Sequence, residues 1–160
     1  MIELIRNIDK TDKQILACLI EDARMPFTEI AKKIKVSTGT VHGRVKKLER
    51  RNIITGATLK INYEIVGYNF TAYVGVLLGR TIESEKILSK MTSIPEITVA
   101  SGISGQYGIL CKVRCRNAKH AKEVIYKINS IPGVLRTESM ISLEESINDK
   151  ERLFKARFEV

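Results

Sequence analysis

Apolar positions in the first third of the chain recur with the period of short helices. One apolar stripe predicts a helix from Asp9 to Arg24, with Asp9 and Asp12 as capping acids at its start. A second, short helix is expected after a proline break, capped at Thr28. A three-residue turn over 35–37 then leads into a third helix. Two short helices joined by a tight turn are typical of a helix-turn-helix, which places its second helix in the DNA major groove. Small three-helix folds that bind no DNA share this pattern and are the alternative.

The third predicted helix, residues 37–52, has an apolar side and a basic side. Val41, Val45 and Leu48 have the i, i+4, i+7 spacing of a buried face. The opposite side carries basic residues and two glycines, and each glycine inside a helix costs roughly 1 kcal/mol relative to alanine. Close approach of the helix backbone to another surface would explain that cost. The alternative is a solvated basic face on which the glycines are incidental.

The possible DNA contacts on this helix divide by position. Phosphate contacts are expected from Lys46, Lys47, Arg50, Arg51 and the amide groups near Thr38. The N-terminal half of a recognition helix enters the groove, so base contacts are expected from Thr38, Thr40, Gly43 and Arg44. Ser37 is the expected N-cap, and Gly39 and His42 complete the predicted DNA-facing set. For each lysine and for His42, the alternative is a solvated side chain.

Beyond this helix, the hydrophobic period changes. Ala57–Ile61 is predicted as a short strand, and residues 62–67 as a connecting segment. The elements expected after that are the strand Tyr68–Gly79, the helix Ile82–Met91, the strands Ile97–Ile103 and Ile109–Cys115, the helix Ala118–Ser130 and the strand from Val134 to about Leu143. We therefore predict a helix-turn-helix (winged-helix-like) domain over 1–60, a hinge over 61–67, a second domain over 68–145 and a C-terminal tail over 146–160.

An internal repeat defines the second domain. Residues 90–97, KMTSIPEI, match residues 127–134, KINSIPGV, at an offset of 37 residues. In each copy a helix ends at the proline and a strand begins. Two β-α-β halves in series predict a ferredoxin-like βαββαβ arrangement, so the fold class is α+β. The sheet face without helices is expected to carry Tyr73, Leu77 and Ile141, which favours a second copy of the chain as its partner.

Charge and composition narrow the function. Residues 1–60 hold 13 Lys and Arg against 7 Asp and Glu, so this segment carries +6 of the total net charge of +9. A basic N-terminal domain on a nearly neutral remainder indicates a module that binds a polyanion. The chain shows neither a membrane-spanning run nor a secretory signal, and its three cysteines lack metal-ligand spacing. We expect a cytoplasmic protein with no catalytic residues, no metal and no cofactor.

The motifs together resemble the Lrp/AsnC (leucine-responsive, feast/famine) transcription regulators over about residues 8–145. The matching residues are Ile8-Asp9, Asp12, Ile15-Leu16, Ala23-Arg24, Ile30-Ala31, Val36-Ser37, Thr40-Val41, Arg44-Val45, Leu48-Glu49, Ile54-Thr55-Gly56, Val66-Gly67-Tyr68, Gly105-Gln106-Tyr107 and Ile131-Pro132-Gly133-Val134. The resemblance implies double-stranded DNA as a partner, self-association into dimers and octamers, and a small-molecule effector. It also implies an effector site at Ile103, Ser104, Gly105, Gln106, Tyr107 and Gly108, for which the alternative is a plain hairpin turn.

One departure from the family pattern affects that effector site. The family usually has an acidic residue, facing the amino group of the effector, where this chain has Gly108. We therefore expect weak binding of common amino acids, or a ligand without a free ammonium group. The remaining acceptors are backbone carbonyls, Gln106, or Glu96 or Glu138 brought in by folding or by a neighbouring subunit. Gly108→Asp is expected to improve amino-acid affinity if the rest of the pocket is retained. Two other functions remain open. One is a haem-pathway decarboxylase of similar fold, which would need basic or histidine side chains in the second domain, where His120 is the only histidine. The other is a metabolite sensor with a vestigial helix-turn-helix.

Overall fold

The computed structural model describes residues 8–79, 84–149 and 151–158, which form six helices and four strands. In chain order these are α1 (Lys10–Glu21), α2 (Phe27–Ile34), α3 (Thr38–Arg50), β1 (Phe70–Leu78), α4 (Ser84–Met91), β2 (Ile97–Gly102), β3 (Ile109–Cys115), α5 (Ala118–Asn129), β4 (Val134–Ile141) and α6 (Glu151–Phe158). They belong to two compact units. The first unit holds residues up to Lys60 together with those from Ile147 onward, and the second unit holds Ile61–Ser146.

The first helix begins as expected and ends early. The Asp9 side chain accepts a hydrogen bond from the Asp12 amide at 2.9 Å, and the Asp12 carboxylate accepts one from the Asp9 amide, which confirms the capping acids. The expected end at Arg24 is wrong, because α1 ends at Glu21. The Asp22 carboxylate accepts from the Arg24 amide at 2.8 Å, and this local turn competes with helix continuation.

The second helix begins one residue before the predicted cap. Pro26 is its N-cap, and the Pro26 carbonyl accepts from the amides of Glu29 and Ile30. The prediction that Thr28 caps this helix is therefore wrong, since Thr28 lies in its first turn. The fixed φ of proline suits a helix start and makes a side-chain cap unnecessary.

The three-residue turn between α2 and α3 is confirmed. Lys35 has φ 58°, and its amide and that of Val36 bond to carbonyls of the last turn of α2. After α3, Asn52 also adopts the left-handed conformation, with φ 54°, which asparagine tolerates better than most residues. The helices enclose a small apolar core formed by Ile15, Cys18, Ile30, Ala31, Val41 and Val45.

The predicted strand Ala57–Ile61 is absent. These residues have no regular secondary structure, and their side chains are exposed, Leu59 by 70% and Ile61 by 51%. A strand needs a neighbour for its backbone hydrogen bonds. Within the described residues, no strand of the four-stranded sheet pairs with this segment.

The second unit has the ferredoxin-like fold that the repeat predicted. Its sheet has the order β2-β3-β1-β4, and all neighbouring strands are antiparallel. One face of the sheet packs on α4 and α5 through a core that includes Val74, Val76, Ile87, Met91, Ile109, Val113, Val124 and Ile128. The predicted strands and helices are all present with ends shifted by up to two residues, and the part of the predicted first helix before Ser84 lies outside the described residues.

The sequence repeat is also a repeat of hydrogen bonds. The Ser93 hydroxyl donates to the Lys90 carbonyl at 2.8 Å, and the Ser130 hydroxyl donates to the Lys127 carbonyl at 2.8 Å. The Ile97 amide bonds to the Ile94 carbonyl as the Val134 amide bonds to that of Ile131. Each copy therefore ends its helix and starts its strand through the same set of local bonds.

The open face of the sheet differs from the prediction at one strand. Residues paired across antiparallel strands point to the same face. Ile141 pairs with Ala72, whose side chain is in the helix-covered core. The prediction that Ile141 lies beside Tyr73 and Leu77 on the open face is therefore wrong. Met140 pairs with Tyr73 and lies on the open face instead. A shift of one residue moves every side chain of a strand to the other face, and periodicity alone does not set this register.

The cysteines are structural. Cys18, Cys111 and Cys115 are buried and free, and Cys111 and Cys115 both lie on the core face of β3. Burial raises the pKa of the Cys111 thiol to about 11, so this thiol stays protonated at neutral pH. Among the described residues, no group of His, Cys, Asp and Glu is placed to hold a metal ion, and no helix is long and apolar enough to cross a membrane.

Candidate functional site

Helix α3 presents an exposed basic face opposite its buried stripe. Val41, Val45 and Leu48 are 0%, 7% and 1% exposed, so the predicted division of this helix is confirmed. The exposed residues of the predicted DNA-facing set are Ser37, Thr38, Gly39, Thr40, His42, Gly43, Lys46, Lys47 and Arg50, whereas Arg44 and Arg51 are half-buried. The fold therefore leaves most of the set open to an approaching surface and holds the two arginines closer to the protein.

The N-terminus of α3 is ordered by its own side chains. Ser37 is the N-cap, and its hydroxyl oxygen accepts from the Thr40 amide at 3.0 Å. The Ser37 and Thr40 hydroxyls are also 2.8 Å apart. The first turn carries no acidic residue. The positive end of the helix dipole is thus unopposed by a local carboxylate, which favours an anionic group at this end.

The two glycines of α3 are not required by packing in the part of the chain that the structure describes. A Cβ added at Gly43 would meet no atom within 4 Å, and one added at Gly39 would meet only the Ser37 hydroxyl, at 3.8 Å. Neither Gly39 nor Gly43 is one of the described glycines with a positive φ. Because alanine would fit both positions and stabilise the helix, packing among the described residues does not explain why glycine stands at either one.

Arg44 is held by the first helix. Its Nη1 donates to Asp12 at 2.9 Å and to Asp9, and the Asp12 side chain is only 3% exposed. The hydrogen bond from Arg44 lowers the pKa of the Asp9 carboxyl, and the two carboxylates raise the pKa of Arg44. This bridge fixes α3 against α1. Asp9 and Asp12 were predicted only as helix caps, and nothing in the local sequence identified them as partners of Arg44, which is 32 residues or more away.

His42 lies against an aromatic ring of the second helix. The ring centroids of His42 and Phe27 are 6.0 Å apart, with the planes at 63°. Phe27 is the first residue of α2, so this edge-to-face contact joins the two helices of the helix-turn-helix.

The predicted effector loop joins β2 to β3. The Ile103 amide bonds to the Gly108 carbonyl at 3.2 Å, and the Gly108 amide bonds to the Val76 carbonyl at 3.0 Å. Gly105 has φ 115°, a conformation that strains any other residue. Ile103, Ser104, Gly105 and Gln106 are exposed, whereas Tyr107 and Gly108 are half-buried.

Tyr107 lies flat on the open face of the sheet. A Cβ added at Gly75 would be 2.7 Å from the Tyr107 ring, so only glycine lets the ring lie there. The Tyr107 hydroxyl donates to Glu138 at 2.5 Å, and Arg136 pairs with the same carboxylate. The bond to Glu138 raises the pKa of the Tyr107 hydroxyl. The fold thus brings Glu138, one of the expected acceptors, to the loop.

The other expected acid lies elsewhere. Glu96 precedes β2, whereas the effector loop follows it, and the Glu96 side chain is 3.0 Å from His120 Nε2. Glu96 is therefore not available to a ligand at the loop. The histidine that the decarboxylase alternative would require is engaged in this same pair.

Leu78 fills the space in front of Gly108. A Cβ added at Gly108 would be 2.6 Å from Leu78 Cδ1 and 2.8 Å from its Cγ. An aspartate at position 108 would require Leu78 to shift, so the pocket would not be retained unchanged. The effect of Gly108→Asp on amino-acid affinity stays a prediction. Leu78 and Gly75 were not among the predicted site residues, since both lie on β1 and reach the loop only through strand pairing.

Family models match both parts of this arrangement. An AsnC-type helix-turn-helix domain matches residues 8–49, and an Lrp/AsnC ligand binding domain matches residues 71–151. The chain belongs to the Lrp/AsnC family. An uncharacterised HTH-type transcriptional regulator of Pyrococcus furiosus is 37% identical over 140 residues, which are 86% of this chain and 93% of the relative. The present chain thus has an AsnC-type helix-turn-helix that includes most of α3, and a ligand-binding domain that contains the 103–108 loop.

Solved structures of relatives have the same fold. The structure of E. coli AsnC superposes with a TM-score of 0.82 at 34% identity and covers 88% of this chain and 95% of AsnC. A feast or famine regulatory protein from M. tuberculosis, complexed with L-methionine, superposes with a TM-score of 0.83 at 25% identity and covers 89% and 97% of the two chains. The relatives are therefore transcription regulators of closely similar architecture, and one of them has been solved with an amino acid.

Proposed function

We propose that this protein regulates transcription by binding specific DNA sequences through α3, and that its second unit self-associates and senses a small metabolite. The observation that carries the proposal is the exposed basic face of α3, with two glycines that no packing contact among the described residues requires and that would let an external surface approach the backbone. The E. coli and Pyrococcus relatives are named as regulators, which favours this function over the decarboxylase and over a sensor with a vestigial helix-turn-helix. A DNA-binding role also favours the cytoplasm as its location.

Residues on the exposed face of α3 are suited to different kinds of contact with DNA. Lys46, Lys47 and Arg50 are exposed charges suited to phosphate oxygens, and the unopposed helix N-terminus adds amide donors. Thr38 and Thr40 present hydroxyls at the same end. Arg44 is already bonded to two carboxylates, so we assign it chiefly to holding α3 in place.

A salt titration tests the DNA-binding surface. In the variant Lys46→Ala/Lys47→Ala/Arg50→Ala, the slope of log affinity against log salt should fall by about 0.9 for each phosphate that the variant no longer neutralises. Its control is Lys86→Ala/Lys119→Ala/Lys122→Ala, which removes the same charge from exposed positions of the second unit. An α3 variant with an unchanged slope, or a control whose slope falls equally, would refute the assignment.

Self-association is supported by apolar side chains on the open sheet face. Met140 is 45% exposed there and pairs with Tyr73, and Val99 on β2 is 54% exposed. The linker adds Ile65 and Val66, which are 83% and 57% exposed. Exposed apolar surface of this kind favours burial against another chain, and a second copy is the simplest partner. Dimers, and octamers built from them, are the assemblies we propose.

An amino-acid-like effector is supported by the chemistry around the 103–108 loop and by the L-methionine complex of the M. tuberculosis relative. Glu138 supplies the charged acceptor that an ammonium group needs, although Tyr107 and Arg136 already share it. Leu78 makes the surface at Gly108 apolar. Both features favour weak binding of common amino acids, or a ligand that has no free ammonium group.

A further inference from the structure

Two basic side chains on the open face of the sheet are unusually well covered. Lys112 pairs across the strands with Tyr73, and Arg114 pairs with Thr71, so these side chains share the face opposite the helices. The side chains of Lys112 and Arg114 are only 12% and 18% exposed. Lysine and arginine are rarely covered to this extent unless an opposite charge pairs with them. The groups around these two cations therefore define the chemistry of this surface.

Each of the two cations lies over an aromatic ring. The Arg114 guanidinium carbon is 4.6 Å from the centroid of the Tyr63 ring, and Lys112 Nζ is 5.6 Å from the centroid of the Tyr73 ring. Tyr63 is held by a local turn, in which its carbonyl accepts from the Tyr68 amide at 2.8 Å. The two rings therefore form apolar walls beside a pair of positive charges.

The Glu145 carboxylate bridges the two cations. Its Oε1 pairs with Lys112, and its Oε2 accepts from Arg114 Nη2 at 3.2 Å. The hydrogen bond from Lys112 lowers the pKa of the Glu145 carboxyl, and the charge of Arg114 acts in the same direction. Charge-assisted hydrogen bonds to both oxygens fix the position and the orientation of a carboxylate. The surface is therefore suited to an anion that presents two oxygens side by side.

Glu145 reaches this surface from a short irregular segment. The Ser142 amide bonds to the Thr71 carbonyl at 3.0 Å, and residues 142–149 have no regular secondary structure. Leu143 is 96% exposed, so its apolar side chain does not hold the segment on the sheet. The Glu145 side chain is 32% exposed, which leaves the bridged carboxylate open to solvent. Glu145 is thus an exchangeable occupant on a tether.

We propose that the aromatic and basic side chains around Glu145 form a binding site for the carboxylate of a small metabolite, and that Glu145 occupies this site as a tethered competitor. The β3 site, as we name it, consists of Tyr63, Tyr73, Lys112 and Arg114. All of its residues belong to the second unit. It is separate from the 103–108 loop, since Lys112 follows Gly108 by four residues along the strand, or about 13 Å. The inference therefore stands apart from effector binding at that loop.

A tethered carboxylate competes strongly with a free one. Glu145 follows the backbone bond of Ser142 by three residues, and so short a tether holds its local concentration at the order of millimolar. A metabolite carboxylate has to exceed that level, or bind more tightly than the glutamate side chain, to displace it. Displacement would release the segment after β4 from the sheet. Removal of the Glu145 carboxylate opens the β3 site without any such competition.

Chemical rescue tests the β3 site. Propionate matches the glutamate side chain beyond Cα. In the full chain, Glu145→Ala should bind propionate at least about tenfold more tightly than wild type, measured by ligand-observed NMR at neutral pH and constant ionic strength. The matched control is Glu144→Ala, which removes the exposed neighbouring acid and should bind propionate as wild type does. Equal propionate affinity of Glu145→Ala and wild type, or equal binding of the uncharged propionamide, would overturn the proposal.

A second substitution locates the bound propionate. Adding Arg114→Gln to Glu145→Ala should weaken propionate binding at least about tenfold, because a charge-assisted hydrogen bond is lost. Adding Lys119→Gln instead, at an exposed position of α5, removes the same charge and should leave the affinity unchanged. An unchanged affinity with Arg114→Gln, or an equal loss with Lys119→Gln, would refute the β3 site.

Hydrogen exchange keeps the test decisive if Glu145→Ala loosens the sheet. Propionate that fills the β3 site should slow the exchange of β3 amides in this variant, because a ligand that binds only the folded state stabilises it. Propionamide at the same concentration should leave the exchange unchanged. Equal effects of the two compounds would also contradict the proposal.

Discussion

The bridge from Arg44 to Asp9 and Asp12 offers the sharpest test of how the DNA-binding unit holds its recognition helix. The substitution Arg44→Met keeps most of the aliphatic volume and removes the charge. It leaves the Asp12 carboxylate, which is 3% exposed, without its main partner. Breaking a fully buried pair costs about 3–5 kcal/mol. Arg44 is 32% exposed, however, and solvent screens part of the interaction, so we expect a loss of about 2 kcal/mol.

That loss is best measured locally, because two units do not unfold as one two-state system. A loss of about 2 kcal/mol corresponds to roughly 30-fold faster exchange of the protected amides in α1 and α3. The matched control is Arg50→Met on the same helix, since Arg50 is exposed and its Nε donates at 3.3 Å to the Lys46 carbonyl. Adding Asp12→Asn to Arg44→Met should recover part of the loss, because no uncompensated charge then remains buried.

The pH dependence follows from the Asp9 pKa. The bridge lowers this pKa in the folded state, so its contribution is fully present above the unfolded value of about 3.9. It is lost as the pH falls through the lower folded value. The difference between wild type and Arg44→Met should therefore be constant near neutral pH and shrink in strong acid. Equal exchange in the Arg44 and Arg50 variants at pH 7 would refute the bridge as a stabilising element.

Two further predictions concern the second unit. Met140→Glu, on the open sheet face, should weaken self-association at least about tenfold in sedimentation. The control is Ile141→Glu, which should not weaken it, because Ile141 is adjacent and 60% exposed but faces the other side of the sheet. Equal weakening by both substitutions would place the interface elsewhere. Gly108→Asp should destabilise the second unit by about 1–3 kcal/mol, because the Cβ of the new aspartate would overlap Leu78. Adding Leu78→Ala to the same chain should relieve that strain. Calorimetry that shows tighter amino-acid binding by Gly108→Asp alone would contradict this account.

Features that depend on near neighbours could be predicted from the local sequence. The amphipathic period of α3, the capping acids of α1, the left-handed Asn52 and the Ser-Ile-Pro repeat are all local patterns. Each of them constrains a backbone conformation directly, so each could be predicted without knowing the rest of the fold. The order of elements then sufficed for the ferredoxin-like class.

Features that depend on distant partners could be seen only in the folded chain. Strand register placed Met140 rather than Ile141 beside Tyr73 and brought Glu138 to Tyr107. Packing put Leu78 against Gly108 and Arg44 against the acids of α1. The strand expected at 57–61 does not form, because a strand needs a neighbouring strand for its backbone hydrogen bonds and local propensity does not supply one. The C-terminal helix α6, whose residues the sequence indicated only as a tail, packs against α1, where Lys13 lies over the Phe158 ring. Such contacts join residues far apart in the chain, and no local period records which distant surfaces meet.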